Sequence, residues 1–349
     1  MNISEKYTDF QIDALEKLVS IPSPTGYTNR AAKWIAEQLE AMGYAPEITN
    51  RGNVNCLVGG DCSRGDGLIL SAHFDTLGAM VRAIKPNGRL RIARLGGPAL
   101  GSYEAENCVV ITRGGREIEG TLQMNEPSAH VAGGSLTEKK RVPDEMQVVL
   151  DIVTSSADET RKAGVENGDI VAFDPRFRRT EGGYIKSRFL DDKAGCATLL
   201  ALAKYIKDEN VSPKRAVWLV FTCHEEVGTG AANGLPDNCT EMIALDMGCV
   251  GDDLVCTERE VSICVIDGGG PYDYDMVGEM KAICERENIP HALDMYPYYG
   301  SDAGAAVRSC YHLRHGCIGP GVYASHGYER THRDGLYASL RLCAAYALK

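Results

Sequence analysis

Two short runs, Leu68-Ile69-Leu70-Ser71-Ala72 and Ala216-Val217-Trp218-Leu219-Val220-Phe221-Thr222, are apolar at nearly every position instead of at every second one. A strand with that pattern has to be covered on both faces, the condition met in a parallel sheet flanked by helices. Met242 to Leu245 and Gly316 to Gly319 are shorter runs of the same kind, and Val54 to Val58 and Val261 to Ile266 also read as strands. Helical patterns lie between them. Thr28 to Met42 places Ala32, Ile35 and Leu39 on one face and stops at Gly43. Ala194 to Ile206, Asp275 to Glu287 and Asp334 to Leu348 follow. An earlier helix, capped by Thr8, carries Ile12, Leu15, Leu18 and Val19 and ends at Ile21-Pro22-Ser23-Pro24. This alternation predicts an α/β fold built on a mostly parallel sheet with helices on both faces.

The rhythm breaks between Gly78 and about Gly183. Short β-rich pieces, such as Leu90 to Ala93, Cys108 to Thr112 and Gly168 to Phe173, are separated there by Gly, Pro and charged residues, with one helix near Ser156 to Ala163. Residues 78–183 therefore read as a small β-rich domain inserted into an α/β domain made of residues 1–77 and 184–349. The formal charge of −11 argues against nucleic-acid binding. No stretch is long enough to span a bilayer, and Met1-Asn2-Ile3-Ser4-Glu5-Lys6 lacks a signal-peptide pattern. The 13 cysteines are scattered, odd in number and without C-x-x-C spacing, as expected of reduced thiols in a cytoplasmic protein.

Acidic and imidazole side chains cluster just after the buried strands. His73 and Asp75 follow the first run, Glu225 and Glu226 follow AVWLVFT, and Asp246 follows Met242 to Leu245. In an open parallel sheet these positions converge outside the carboxyl ends of the strands. The adjacent pair Asp191-Asp192 repels itself unless a cation or hydrogen bonds compensate, and His326 supplies a second imidazole. A His and carboxylate set without Cys suits Zn²⁺ or Co²⁺ in a catalytic site. Five such ligands with a spare carboxylate suit two ions about 3.5–4 Å apart.

HFDT at His73, FLDDKAG at Asp191, HEEVGTGAA at Glu225 and ALDMG at Asp246 resemble the tetrahedral aminopeptidases, a family that includes glutamyl and deblocking aminopeptidases. SDAGAA at Asp302, SHGYERTH at His326 and the early IPSPTGYT at Ile21 to Thr28 extend the resemblance over nearly the whole chain. It implies a dinuclear metal centre in which Asp191 bridges both ions, His73 and Asp246 complete one, and Glu226 and His326 complete the other. Glu225 would be the general base and Asp75 would orient the His73 imidazole. The Asp191-Asp192 peptide bond would be cis, with Asp192 as backbone support. The resemblance further implies short peptide substrates and two divalent ions (Zn²⁺ or Co²⁺, with Mn²⁺ a further candidate). It also implies self-association, often into a hollow dodecamer, with the insert serving as lid or assembly surface. The long gap between His73 and Asp191, against shorter ones onward to Asp246 and His326, places the insert as in this family. Lys193 departs from the usual Arg, and Ser325-His326-Gly327-Tyr328 replaces the commoner His-Ser-Pro. His332, six residues on, is therefore an alternative last ligand.

Other features carry less. Asp302 reads as a helix cap or a substrate-site residue. Cys223-His224 lie on neighbouring positions of a strand, which would turn them to opposite faces and prevent a thiol–imidazole dyad. His130, His291, His312 and His315 read as surface histidines, and Gly228 to Gly234 as a turn. Two rival functions stay open: glycoside hydrolysis by paired carboxylates, which leaves His73 and His326 idle, and a metal-holding scaffold, which leaves Glu225 idle.

Overall fold

The computed structural model describes residues 3–349; Met1 and Asn2, which open the stretch read for a signal peptide, lie outside them. The chain divides into two compact units, residues 1–75 with 176–349, and residues 76–175.

The larger unit is built on a thirteen-stranded sheet. At its centre Val217–Thr222, Gly67–His73, Cys239–Leu245 and Arg314–Tyr323 lie side by side in that order, all parallel. Gly67–His73 is buried at every residue, as its unbroken apolar run requires. Outside this centre the sheet turns antiparallel: Val54–Gly59 pairs against Val217–Thr222, and Val261–Asp267 and Glu329–His332 against Arg314–Tyr323. The sheet is therefore mixed, parallel at its centre and largely antiparallel around it, with His291–Tyr296 again parallel to Val261–Asp267, where the expectation was a mostly parallel one. The long helix Leu190–Asp208 packs on Gly67–His73 and on the helices Lys6–Val19 and Arg333–Ala347. The first helix starts at Lys6, so Thr8 is not its cap but a buried residue inside its first turn.

The smaller unit is a closed barrel of six antiparallel strands, Gly78–Ile84, Leu90–Leu95, Met146–Leu150, Glu117–Met124, Asn107–Ile111 and Ile170–Phe173. Alternate residues fill its interior, among them Val81, Ile92, Val110, Leu122, Val148 and Val171. Its helix Ala157–Lys162 is capped by the Ser156 hydroxyl, which accepts from the Glu159 amide. Residues 176–183, read from their Gly-rich, charged texture as part of the insertion, fall in the larger unit. There Arg178–Arg179 pairs with Tyr184–Ser187, which itself pairs with Glu329–His332.

Candidate metal centre

Strand direction assembles the site. Gly67–His73 and Val217–Thr222 run in parallel register with His73 opposite Thr222, so His73 and the Cys223–Glu226 turn leave the sheet together. The Phe74 amide donates to the Thr222 carbonyl and the Asp246 amide to the Ile318 carbonyl, extending the ladder to the edge of the site. The Asp191-Asp192 peptide bond is cis, and these two residues depart from helical geometry before the helix becomes regular.

Two groups of potential ligands result, each with its ligand atoms within 4.8 Å of one another: His73, Asp191 and Asp246, and Asp191, Glu226 and His326. Asp191 belongs to both. Its Oδ1 lies 3.1 Å from His73 Nε2 and its Oδ2 3.6 Å from His326 Nε2, so the carboxylate faces one imidazole with each oxygen. His326 Nε2 is also 3.6 Å from Glu226. Glu225 Oε2 stands 3.8 Å from His73 Nε2, beside both groups and in neither. His332 is engaged elsewhere. Its Nε2 pairs with the Gly182 carbonyl at 2.9 Å, and its Nδ1 accepts from the Asp334 amide as the cap of the last helix.

The supporting contacts differ in part from expectation. His73 Nδ1 is 3.1 Å from the main-chain carbonyl of Asp75, while the Asp75 carboxylate, 3.6 Å away, is beyond hydrogen-bond range. That carboxylate instead accepts from the Glu225 amide (3.1 Å), the Glu226 amide (3.4 Å) and the Thr25 hydroxyl (2.7 Å). Asp75 thus orients the imidazole through its backbone and the Glu225–Glu226 turn through its side chain. The IPSPTGYT segment braces the same stretch, Thr25 through the Asp75 carboxylate and Ser23 by donating to the Phe74 carbonyl. Asp192 accepts from the His73 and Gly195 amides, and Lys193 turns its ammonium away to the Leu18 and Ile21 carbonyls. Glu329, absent from the sequence reading, accepts from the Asp191 and His326 amides. Only its position three residues after His326 could have pointed to it.

The electrostatics describe a site short of positive charge. Burial, then the Asp191 charge, pushes the Asp246 carboxyl up to about 8. Burial likewise raises Glu225 and Glu226 well above the usual carboxylate range. Burial disfavours the His73 imidazolium, but the Asp191 hydrogen bond and the charges of Glu225, Asp246 and Asp75 outweigh it and hold His73 well above its ordinary value. The hydrogen bond to His73 and the nearby imidazoles hold Asp191 below the usual carboxylate range despite its burial, while Asp246 and Glu226 are pushed up. Three buried or half-buried carboxylates and two imidazoles converging on one place are a donor set that a pair of divalent cations would satisfy, so these residues fit the implied metals.

The remaining candidates resolve simply. Asp302 is not the cap of its helix; Ser301 is. Asp302 accepts from the Thr222 hydroxyl (2.6 Å) and the Ala231 amide (2.9 Å), and a Cβ on Gly230 would come within 2.0 Å of its Oδ1. It thereby pins the Gly228–Gly234 turn. Cys223 Sγ lies 3.2 Å from His224 Nδ1, against the expectation that strand alternation would part them, because the strand ends at Thr222 and His224 turns out of it. Burial nevertheless pushes the Cys223 thiol up to about 12 and lowers His224, so the pair does not yield a thiolate. His130 and His312 are exposed, His291 and His315 half-buried, and none joins either ligand group. All thirteen cysteines are free thiols. A surface groove of about 480 Å³ near Trp218, Asn55 and Leu235 contains no candidate ligand.

Comparison with known proteins agrees with this architecture. The sequence model of the M42 glutamyl aminopeptidases matches residues 52–342. The Bacillus subtilis (strain 168) protein named "Putative aminopeptidase YhfE" is 39% identical over 336 residues, 96% of each chain. Among solved structures, an aminopeptidase from the archaeon Desulfurococcus kamchatkensis superposes with a TM-score of 0.85 at 24% identity, covering 98% of this chain and 96% of its own. The Pyrococcus horikoshii TET1 peptidase, described as able to assemble into a tetrahedron or a large octahedral shell, gives 0.83 at 23% identity over 97% and 99%. These structural likenesses establish the fold.

Proposed function

The chain belongs to the M42 glutamyl aminopeptidases, and from that premise we propose that it cleaves the N-terminal peptide bond of short peptides at a centre for two divalent cations, with Glu225 as general base. The observation that carries this reading is the carboxylate of Asp191, shared between two ligand groups, with Glu225 alongside and uncommitted.

In this reading His73, Asp191 and Asp246 hold one cation, and Asp191, Glu226 and His326 hold the other. When bound, the cations supply Lewis acidity toward water and toward the scissile carbonyl, for which Zn²⁺ and Co²⁺ suit this donor set, with Mn²⁺ as a further candidate. Glu225 takes the proton of the attacking water on its carboxylate and returns it to the leaving amine. Its side chain is 17% exposed against 4% for Glu226, which leaves it open to a substrate while its neighbour faces inward. Asp75 keeps the base in register by holding the Glu225 and Glu226 amides. The assembly of the Pyrococcus horikoshii relative motivates self-association here as well, and the free thiols suit a cytoplasmic setting.

The test is hydrolysis of aminoacyl-p-nitroanilides and of aryl glycosides by the purified protein, with and without EDTA. Anilide release should vanish with EDTA and return with Zn²⁺ or Co²⁺. Glu225→Gln should lower kcat by roughly 10²–10⁴-fold with metal content unchanged. Glycoside cleavage indifferent to EDTA would overturn the reading, and two retained metals without either activity would favour a scaffold.

A further inference from the structure

Two of the three ligands in the second group, Asp191 and His326, are carried by turns with unfavourable backbone geometry. Phe189, two residues before the bridging Asp191, has φ 67°, and Ala324 and His326 have φ 60° and 62°. These are left-handed conformations that residues other than glycine rarely adopt, so neighbouring contacts must hold them. One side chain reaches both turns. Glu329 Oε2 accepts from the Asp191 amide at 3.1 Å and Oε1 from the His326 amide at 3.0 Å. Glu329 is 2% exposed and sits at the start of the short strand Glu329–His332. That strand pairs with Tyr184–Ser187 on one side, leading into Phe189, and with the end of Arg314–Tyr323 on the other, leading into His326. The carboxylate is therefore a clasp placed by the sheet between two ligand-bearing segments that are 135 positions apart in sequence.

We propose that Glu329 is a positioning residue for the Asp191–Glu226–His326 cation site, and that it governs occupancy of that site more than of its neighbour. This rests on the two-cation reading above. The selectivity follows from the contacts. In the first group Asp191 has its own hydrogen bond to His73, whose amide is tied to Asp192, and Asp246 is fixed by the ladder to Ile318. In the second group the Glu226 amide is tied to Asp75, whereas the His326 amide donates to Glu329, a contact that this clasp makes with no ligand found only in the first group. Glutamine cannot replace the clasp, because it presents one oxygen and one NH₂, and the NH₂ would face an amide N–H. Aspartate keeps both oxygens but is one methylene short of spanning the two turns.

The experiment titrates Zn²⁺ and, for its visible absorption, Co²⁺ into the metal-stripped full-length protein, comparing wild type, Glu329→Gln and Glu329→Asp, with circular dichroism reporting the fold. Wild type should take up two ions per chain. Glu329→Gln should keep one ion at near wild-type affinity and bind the other roughly 10–100-fold more weakly, with Glu329→Asp between them. Two ions at wild-type affinity in a folded Glu329→Gln, or equal weakening of both, would overturn the inference. If Glu329→Gln fails to fold, the same criteria apply to Glu329→Asp. A wild type that binds a single ion would instead reject the two-cation reading, and the inference with it.

Discussion

At the scale of the residue, the convergence of the candidate ligands is legible where a polar residue follows a buried strand. His73, Asp246 and the Glu225–Glu226 pair each stand at the end of an apolar run, and a polar residue there has little to do except face a common cleft. Contacts made by main-chain atoms were not legible. The Asp75 carbonyl reaches His73 while its carboxylate holds the Glu225 amide, and no side-chain pattern encodes that division. Glu329 carries no signal in the sequence, because a single carboxylate in a polar loop is ordinary until the fold closes around it. Asp302 supplies a test at this scale. Burial, opposed by the Thr222 hydrogen bond, holds its carboxyl up at about 6. Folding therefore favours the neutral form: the contribution is full below the ordinary carboxylate value and is lost as the pH rises through 6. Between pH 4 and pH 7, urea unfolding of wild type should show roughly 2–3 kcal/mol more loss of stability than Asp302→Asn. Parallel pH profiles for the two proteins would contradict the assignment.

At the scale of the element, length and apolar content located most helices and strands within a few residues, but pairing partners were only partly visible. The parallel centre follows from strands buried on both faces, whereas the mixed pairing around it depends on where connections return. Closure of the inserted strands into a barrel is a property of register, which short β-rich segments do not display in sequence. Two glycines show how element packing reverses the sign of one substitution. A Cβ on Gly195, at the start of the long helix, would come within 2.3 Å of the Leu245 carbonyl and 2.5 Å of Asp192, whereas Gly278, on the exposed face of Tyr274–Glu287, meets nothing within 4 Å. Gly195→Ala should destabilise by about 1–3 kcal/mol, and Gly278→Ala should stabilise by about 0.5–1 kcal/mol. Thermal denaturation of the two variants checks this, and a neutral Gly195→Ala would show that the helix does not approach the strand end as closely as described.

At the scale of the whole molecule, the change of texture marks a β-rich insertion within a discontinuous α/β unit but not its closure into a barrel, and the compact inserted unit ends eight residues earlier than that texture suggests. The pairing of Arg178–Arg179 with Tyr184–Ser187 explains the difference. Assembly is set by surface complementarity, which one chain's sequence does not reveal. Light scattering should give a mass several-fold the 37.8 kDa of one chain, and a single-chain mass would reject self-association. No helix among the described residues is long and apolar enough to cross a membrane. In the proposed function Asp191 joins two cation sites into one catalytic centre. The most direct test is to strip the protein with EDTA, add Zn²⁺ or Co²⁺ in measured equivalents, and follow aminoacyl-p-nitroanilide hydrolysis together with bound metal. Activity that rises to a plateau at two ions per chain is the predicted result; full activity without metal, or a plateau at one ion with no further uptake, would contradict it.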